Sequence, residues 1–130
     1  MNHAISLAAL ISASLFLPVA ATANAFVNGP RGCDFLDGFD DYGPLYTVDE
    51  DHLVLSQLGL EGIEWNCTFN EPFEPYLEDG EIEIRTGYCM EPGPFITPAV
   101  FTLLERGDGT VQLDASDWSD PLILDICPAP

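Results

Sequence analysis

Between Gly62 and Cys127 the chain breaks into five short runs that alternate apolar and polar residues, each bounded by turn-forming residues and three of them carrying a cysteine. They are Ile63–Cys67, Glu81–Cys89, Ala99–Leu104, Thr110–Leu113 and Leu122–Cys127. A period of two over a few residues marks half-buried strands, because successive side chains point to opposite faces. In the first run Ile63, Trp65 and Cys67 share a face, with Glu64, Asn66 and Thr68 on the other. In the second, Ile82 and Ile84 share one face and Glu81, Glu83 and Arg85 the other. Arg106-Gly-Asp-Gly109 is the strongest hairpin signal in the chain. Two registers fit it. A two-residue turn at Gly107-Asp108 pairs Leu104 with Val111 and Thr102 with Leu113; a three-residue turn with Gly109 at a bulge pairs Leu103 with Leu113 and Glu105 with Val111. The first keeps charge off the Val111 face and is the preferred reading.

Upstream the pattern is weaker. Phe26 to Arg31 reads as a short unstructured lead-in. Asp34 to Pro44 is acidic, aromatic and interrupted by glycine and proline, a loop-rich segment that Cys33, Phe35, Leu36 and Phe39 tie to the core. Leu45 to Leu60 is open to two readings. Thr47-Val-Asp-Glu50 fits a helical capping box, but His52-Leu-Val-Leu-Ser-Gln-Leu58 is short and β-rich, which favours a strand. Asn70 to Gly80, with Pro72, Pro75 and four acidic residues, reads as an exposed connection, and Met90 to Pro98, with Pro92, Pro94 and Pro98, as a rigid loop. The predicted fold is mainly β: a small antiparallel barrel or sandwich of about six short strands.

The first 25 residues stand apart. Met1 to Ala25 holds no acidic residue, lysine or arginine, Leu7 to Ala21 is almost wholly apolar, and Ala23-Asn24-Ala25 supplies small residues at −3 and −1 of a cleavage site. This predicts a secretory signal peptide, cut before Phe26, and a periplasmic or secreted destination. The remaining residues, 26–130, suffice for one domain. Four cysteines in an oxidising compartment imply two disulfides, with three possible connectivities. The simplest pairing joins Cys67 to Cys89 within the sheet and Cys33 to Cys127 across the ends.

With 22 acidic residues, three arginines (Arg31, Arg85, Arg106) and no lysine, the net charge is −19. This argues against nucleic acid or an anionic membrane as partner, and for a basic protein or simple solubility in a salty exterior. No membrane insertion of the mature chain and a monomeric state are expected. Catalytic signals are thin. Ser56, Ser116 and Ser119 lack a nucleophile-elbow context, His52 is the sole histidine beyond the leader, and Glu64, beside Trp65, is the one carboxylate to examine as an acid or base. Neither enzymatic activity nor a cofactor is predicted. A calcium loop counted from Asp37 fails, with Phe39 third, Tyr42 sixth and Val48 twelfth; Asp37, Asp40 and Asp41 are the candidates for an irregular site, and no metal is assigned. Arg106-Gly107-Asp108 matches an adhesion tripeptide and Asn66-Cys67-Thr68 a glycosylation sequon, but the first is what a turn requires and the second lies in a strand.

Glu64-Trp-Asn-Cys67, Cys89-Met-Glu-Pro-Gly93, the Gly-Asp-Gly hairpin and a last strand ending Cys127-Pro128 together resemble a group of small acidic periplasmic proteins of marine alphaproteobacteria. The likeness implies an exported β-domain and no particular activity. It is similar too, in compartment and fold only, to periplasmic lysozyme inhibitors. The expected function is a non-enzymatic binding or envelope domain, with Met90, Glu91 and Phe95 as candidate binding residues on the Met90–Pro98 loop. Its alternatives are an inhibitor of a basic cell-wall hydrolase and a calcium-dependent structural module.

Overall fold

A computed structural model describes residues 24–130; the segment 1–23, most of the predicted signal peptide, lies outside the described residues. In chain order the elements are β1 (Ala25–Asn28), a 3₁₀ turn (Gly32–Phe35), β2 (Gly38–Asp40), β3 (Gly43–Leu45), β4 (Leu53–Ser56), β5 (Gly59–Glu61), β6 (Asn66–Phe69), β7 (Ile82–Met90), β8 (Ile96–Glu105), β9 (Thr110–Ala115) and β10 (Leu122–Cys127). Strands β4 to β10 run as an antiparallel meander, and β1 pairs with both β10 and β4 to close an eight-stranded barrel. The mainly β class is as the alternation predicts, with more strands than the six expected. Closure removes the sheet edges that a small β-domain would otherwise expose.

The interior of an eight-stranded barrel is just wide enough to be filled by side chains. Here it is filled by Phe26, Leu55, Leu60, Phe69, Phe101, Leu103, Val111, Leu113 and Leu124, with Phe73 entering from the loop after β6. An aromatic column runs through it. Phe73 meets Phe69 edge-on at 5.5 Å, Phe69 meets Phe101 at 5.2 Å, Phe101 meets Trp118 at 6.2 Å, and Trp118 packs on Trp65 at 5.4 Å. Cys67 lies opposite Cys89 on neighbouring strands and is bonded to it, and Cys33 is bonded to Cys127, as the simplest pairing predicts.

Four local readings change. Phe26 to Arg31 is not a lead-in: Ala25–Asn28 is the closing strand, with Ala25, Phe26 and Val27 wholly buried. Its partners, β4 and β10, are distant in sequence, so no local pattern announces it. Leu45 to Leu60 holds no helix: the strand read over His52–Leu58 is β4, shortened to Leu53–Ser56 and folded back onto β5 through a turn at Gln57-Leu58. Gly59 permits that turn with φ 144°, and a Cβ there would sit 1.9 Å from the Cys67 carbonyl oxygen. The β8–β9 hairpin takes the three-residue register, Leu103 opposite Leu113 and Glu105 opposite Val111. Glu105 is buried, yet its carboxylate accepts the Gly80 N–H at 3.1 Å and the Gly107 N–H at 2.9 Å, which offsets the desolvation that the other register avoids. Pro98, placed by the sequence in a loop, lies inside β8 opposite Tyr88. β8 overhangs β9 there, so the missing N–H costs no ladder bond on that side.

Candidate interaction surface

The barrel has two apolar outer walls, and among the described residues only one is covered. On the first, Ala25 and Val27 of β1, Val54 of β4 and Cys127 of β10 point outward into a second cluster with Phe35, packed against Leu36, Phe39 and Tyr46. The cover is the excursion between β1 and β4, which carries the 3₁₀ turn and the β2–β3 hairpin and is stapled to β10 by Cys33–Cys127. Its latch is His52, a buried residue whose ring stacks on Phe35 at 3.8 Å. Nδ1 lies 2.8 Å from the Asp49 carboxylate and Nε2 lies 2.5 Å from the Pro30 carbonyl. Burial alone would lower the His52 pKa, but those two acceptors outweigh it and hold the imidazolium above its ordinary range. The hydrogen bond from His52 holds Asp49 below the usual carboxylate value. Tyr46 donates to Glu61 at 2.5 Å and ties the excursion to β5; burial, then that carboxylate, pushes the phenol up.

The second wall is the outer face of the β7–β8 ribbon, the two longest strands. An apolar-in arrangement of β7 would bury Ile82 and Ile84. The structure places them outside, 60 % and 61 % exposed, while Gly87 and Cys89 face in. Two constraints fix that parity. Cys89 must meet Cys67 inside, and a Cβ on Gly87 would lie 2.1 Å from the Thr68 carbonyl oxygen. Glu83 and Arg85 consequently fall on the inward parity, half-buried, where they form an ion pair with each other. The Arg85 Nε is buried without a hydrogen-bond partner among the described residues.

The outward positions of the ribbon are Ile82, Ile84, Thr86, Tyr88 and Met90 on β7, and Ile96, Pro98, Val100, Thr102 and Leu104 on β8, paired across the two strands. None carries a formal charge, in a chain of net charge −19. Carboxylates stand around them. Asp114 of β9 is opposite Thr102, Glu81 immediately precedes β7, and Glu91 begins the turn beyond Met90. Of the predicted binding residues, Met90 lies opposite Ile96 at the ribbon's tip, and the Glu91 N–H reaches the Phe95 carbonyl at 3.3 Å across the turn. Phe95 is 64 % exposed. The sequence thus located the tip of this wall but not its length. The missing signal was available: Ile82 and Ile84 have the opposite parity to Cys89.

Other candidates stand apart. Asp40 accepts the Tyr42 and Gly43 N–H groups within its own hairpin turn, and no group of three His, Cys, Asp or Glu residues is placed to hold a metal among the described residues, so Asp37, Asp40 and Asp41 do not converge. Glu64 is exposed in the bend before β6. Arg106-Gly107-Asp108 is the hairpin tip, where Asp108 accepts from Thr110 N–H and hydroxyl, the hydroxyl holding its carboxyl below the usual range. A cleft of about 390 Å³ at one barrel mouth is lined by Trp65, Trp118, Leu53 and Leu122 with Asp117 and Asp120; its rings are the end of the core's aromatic column. No protein-family model matches the chain, and neither a curated protein nor a solved structure shows significant similarity to it.

Proposed function

We propose that this chain is an exported, non-enzymatic binding domain that docks a basic protein on the outer wall of β7 and β8. One observation carries the reading: ten outward positions on two adjacent strands are free of formal charge while the rest of the chain supplies 22 carboxylates. Continuous exposed apolar surface on a small protein marks an interaction site. Charge selects the occupant. A second copy of the chain would bring −19 against −19, and two of the three arginines are engaged internally, Arg85 with Glu83 and Arg106 with Asp108. An anionic membrane is repelled in the same way. A spanning strand needs about 9–11 residues, a length that only β7 and β8 reach among the described residues. A partner with an apolar patch ringed by lysine and arginine meets both requirements, and the acidic rim speeds its encounter. Two disulfides support an oxidising compartment.

The sharpest form of the proposal is an inhibitor of a basic cell-wall hydrolase. It is tested by titrating the purified protein into a basic lysozyme at low and physiological salt. Turnover falls, and falls less as salt rises. Turnover that never changes removes the inhibitor form. Binding of basic proteins that is equally strong in wild type and in an Ile84→Glu/Val100→Glu double variant removes the wall as the docking site.

A further inference from the structure

The predicted cut before Phe26 conflicts with the position of Ala25. Ala25 is the first residue of β1, is 0 % exposed, lies opposite Cys127 and packs with Val27, Val54 and Phe35 under the covering excursion. A chain beginning at Phe26 would lose that packing. It would also place a charged α-ammonium on a residue that is 1 % exposed and flanked on both sides, by Ile126 and by Leu55. An ammonium has three protons to satisfy and is costly to bury without acceptors. The sequence holds a second small-x-small cleavage pattern two residues earlier, Ala21-Thr22-Ala23. Resting on the export reading above, we infer that the mature chain begins at Asn24, and that its new α-ammonium takes a seat among the carboxylates at that end of the barrel.

The surroundings of Asn24 are acidic. Asn24, half-buried, lines a depression of about 570 Å³ together with Glu78, Asp79 and Glu105. Glu105 is held there by the Gly80 and Gly107 N–H groups, and Glu78 and Asp79 lie on the loop between β6 and β7. This end of the molecule carries concentrated negative charge, and the sequence offers no lysine to meet it. Hydrolysis of the Ala23–Asn24 peptide bond supplies a cation there. Water adds across that bond, the carboxylate leaves with the leader, and the amine remains on Asn24 and is protonated. With no lysine in the chain, this is the sole primary amine of the mature protein.

Two measurements decide the matter. The full chain is expressed with its own leader in a Gram-negative host, and the exported product is examined by intact mass and N-terminal sequencing. The expected product starts at Asn24, heavier by one asparagine and one alanine residue than a Phe26 start. A Phe26 start overturns the inference and leaves export standing, whereas an unprocessed chain overturns the export reading with it. The single amine is then reductively methylated with ¹³C-formaldehyde and titrated by NMR. Seated among carboxylates, it titrates above the ordinary α-amine range of about 7.7–8.0, and Asp79→Asn or Glu78→Gln lowers it by about half a unit. A value within the ordinary range, unmoved by both variants, overturns the acidic seat.

Discussion

The two outer walls of this barrel are built alike and treated differently. Both are apolar, and both are stapled at one strand, by Cys127 on the first and by Cys89, whose bond to Cys67 points inward, beside the second. The wall of β1, β4 and β10 is roofed by the chain's own excursion between β1 and β4, which brings Phe35, Leu36, Phe39 and Tyr46 down on it. The wall of β7 and β8 has no roof among the described residues, and Ile84, Ile96 and Phe95 are each more than 60 % exposed. Apolar area on the first wall therefore stabilises the fold, and on the second it is available for association. Substitutions on the two walls should separate these roles.

The largest effect is expected at the staple of the covered wall. Cys33 and Cys127 are 94 residues apart, and closing so long a loop stabilises by about 4.7 kcal/mol in the chain-entropy model; Cys67–Cys89, separated by 22, contributes about 3.4 kcal/mol. Chemical denaturation of the two double-alanine variants should give losses in that order, and only the Cys33/Cys127 variant should bind an apolar dye more strongly before unfolding. A larger loss for the Cys67/Cys89 variant would reverse the assignment of the roof as the main stabiliser.

Next is one substitution made on both walls. Phe35→Ala removes a buried ring that stacks on His52 and packs near Tyr46, and should cost about 3 kcal/mol. Phe95→Ala removes an exposed ring and should change stability by no more than about 0.5 kcal/mol. Urea midpoints measure both, and equal losses would mean that the second wall is not bare in solution. For binding the order inverts. Ile84→Glu/Val100→Glu should weaken capture of a basic protein at least tenfold, about 1.4 kcal/mol, with an unchanged urea midpoint, while Phe35→Ala leaves affinity per folded molecule intact.

The covered and bare walls also differ in how legible they were. Strands β7 to β10 and the existence of their hairpin follow from local alternation and turn residues, whereas the disulfide pairing was the simplest of three that the cysteine positions allow. The facing of β7 does not follow from hydropathy, because alternation defines two faces without saying which is inside. The decision rests on Gly87, which alone fits against Thr68, and on Cys89, and both share parity with Glu83 and Arg85. The hairpin register turned on Gly80, a backbone donor 25 residues from Glu105 that no local reading could bring to it. β1 was missed because neither of its pairing partners is local: Phe26 lies between Leu55 of β4 and Ile126 of β10. The candidate surface was seen only at its tip, since Met90 and Phe95 stand in a recognisable turn while the rest of the wall resembles a buried strand.

The smallest effect is a pH dependence confined to the roof. Asp49 and His52 latch the excursion, and the outward positions of the bare wall include no histidine, aspartate or glutamate. The folded-state pKa of His52 is raised, so its contribution is complete below its unfolded value, about 6.5, and is lost as pH rises through the folded value. That of Asp49 is lowered, so its contribution is present above about 3.9 and is lost as pH falls through the folded value. Stability from the latch is therefore greatest between about pH 4 and 6.5. Just above that window the assignment is clean, because the chain has no lysine, all four cysteines are paired, His52 is the only histidine among the described residues, and the α-amine inferred above titrates only beyond about pH 8. The melting temperature should drift downward from about pH 6 to 7.5 in wild type and stay flat there in His52→Gln, with salt held constant, while any decline shared by both above about pH 8 belongs to the α-amine. Binding of a basic partner, corrected for folded fraction, should not follow that drift. A decline of equal slope in His52→Gln would place the titration elsewhere, and an affinity that tracks the drift would mean that the two walls are coupled through the barrel.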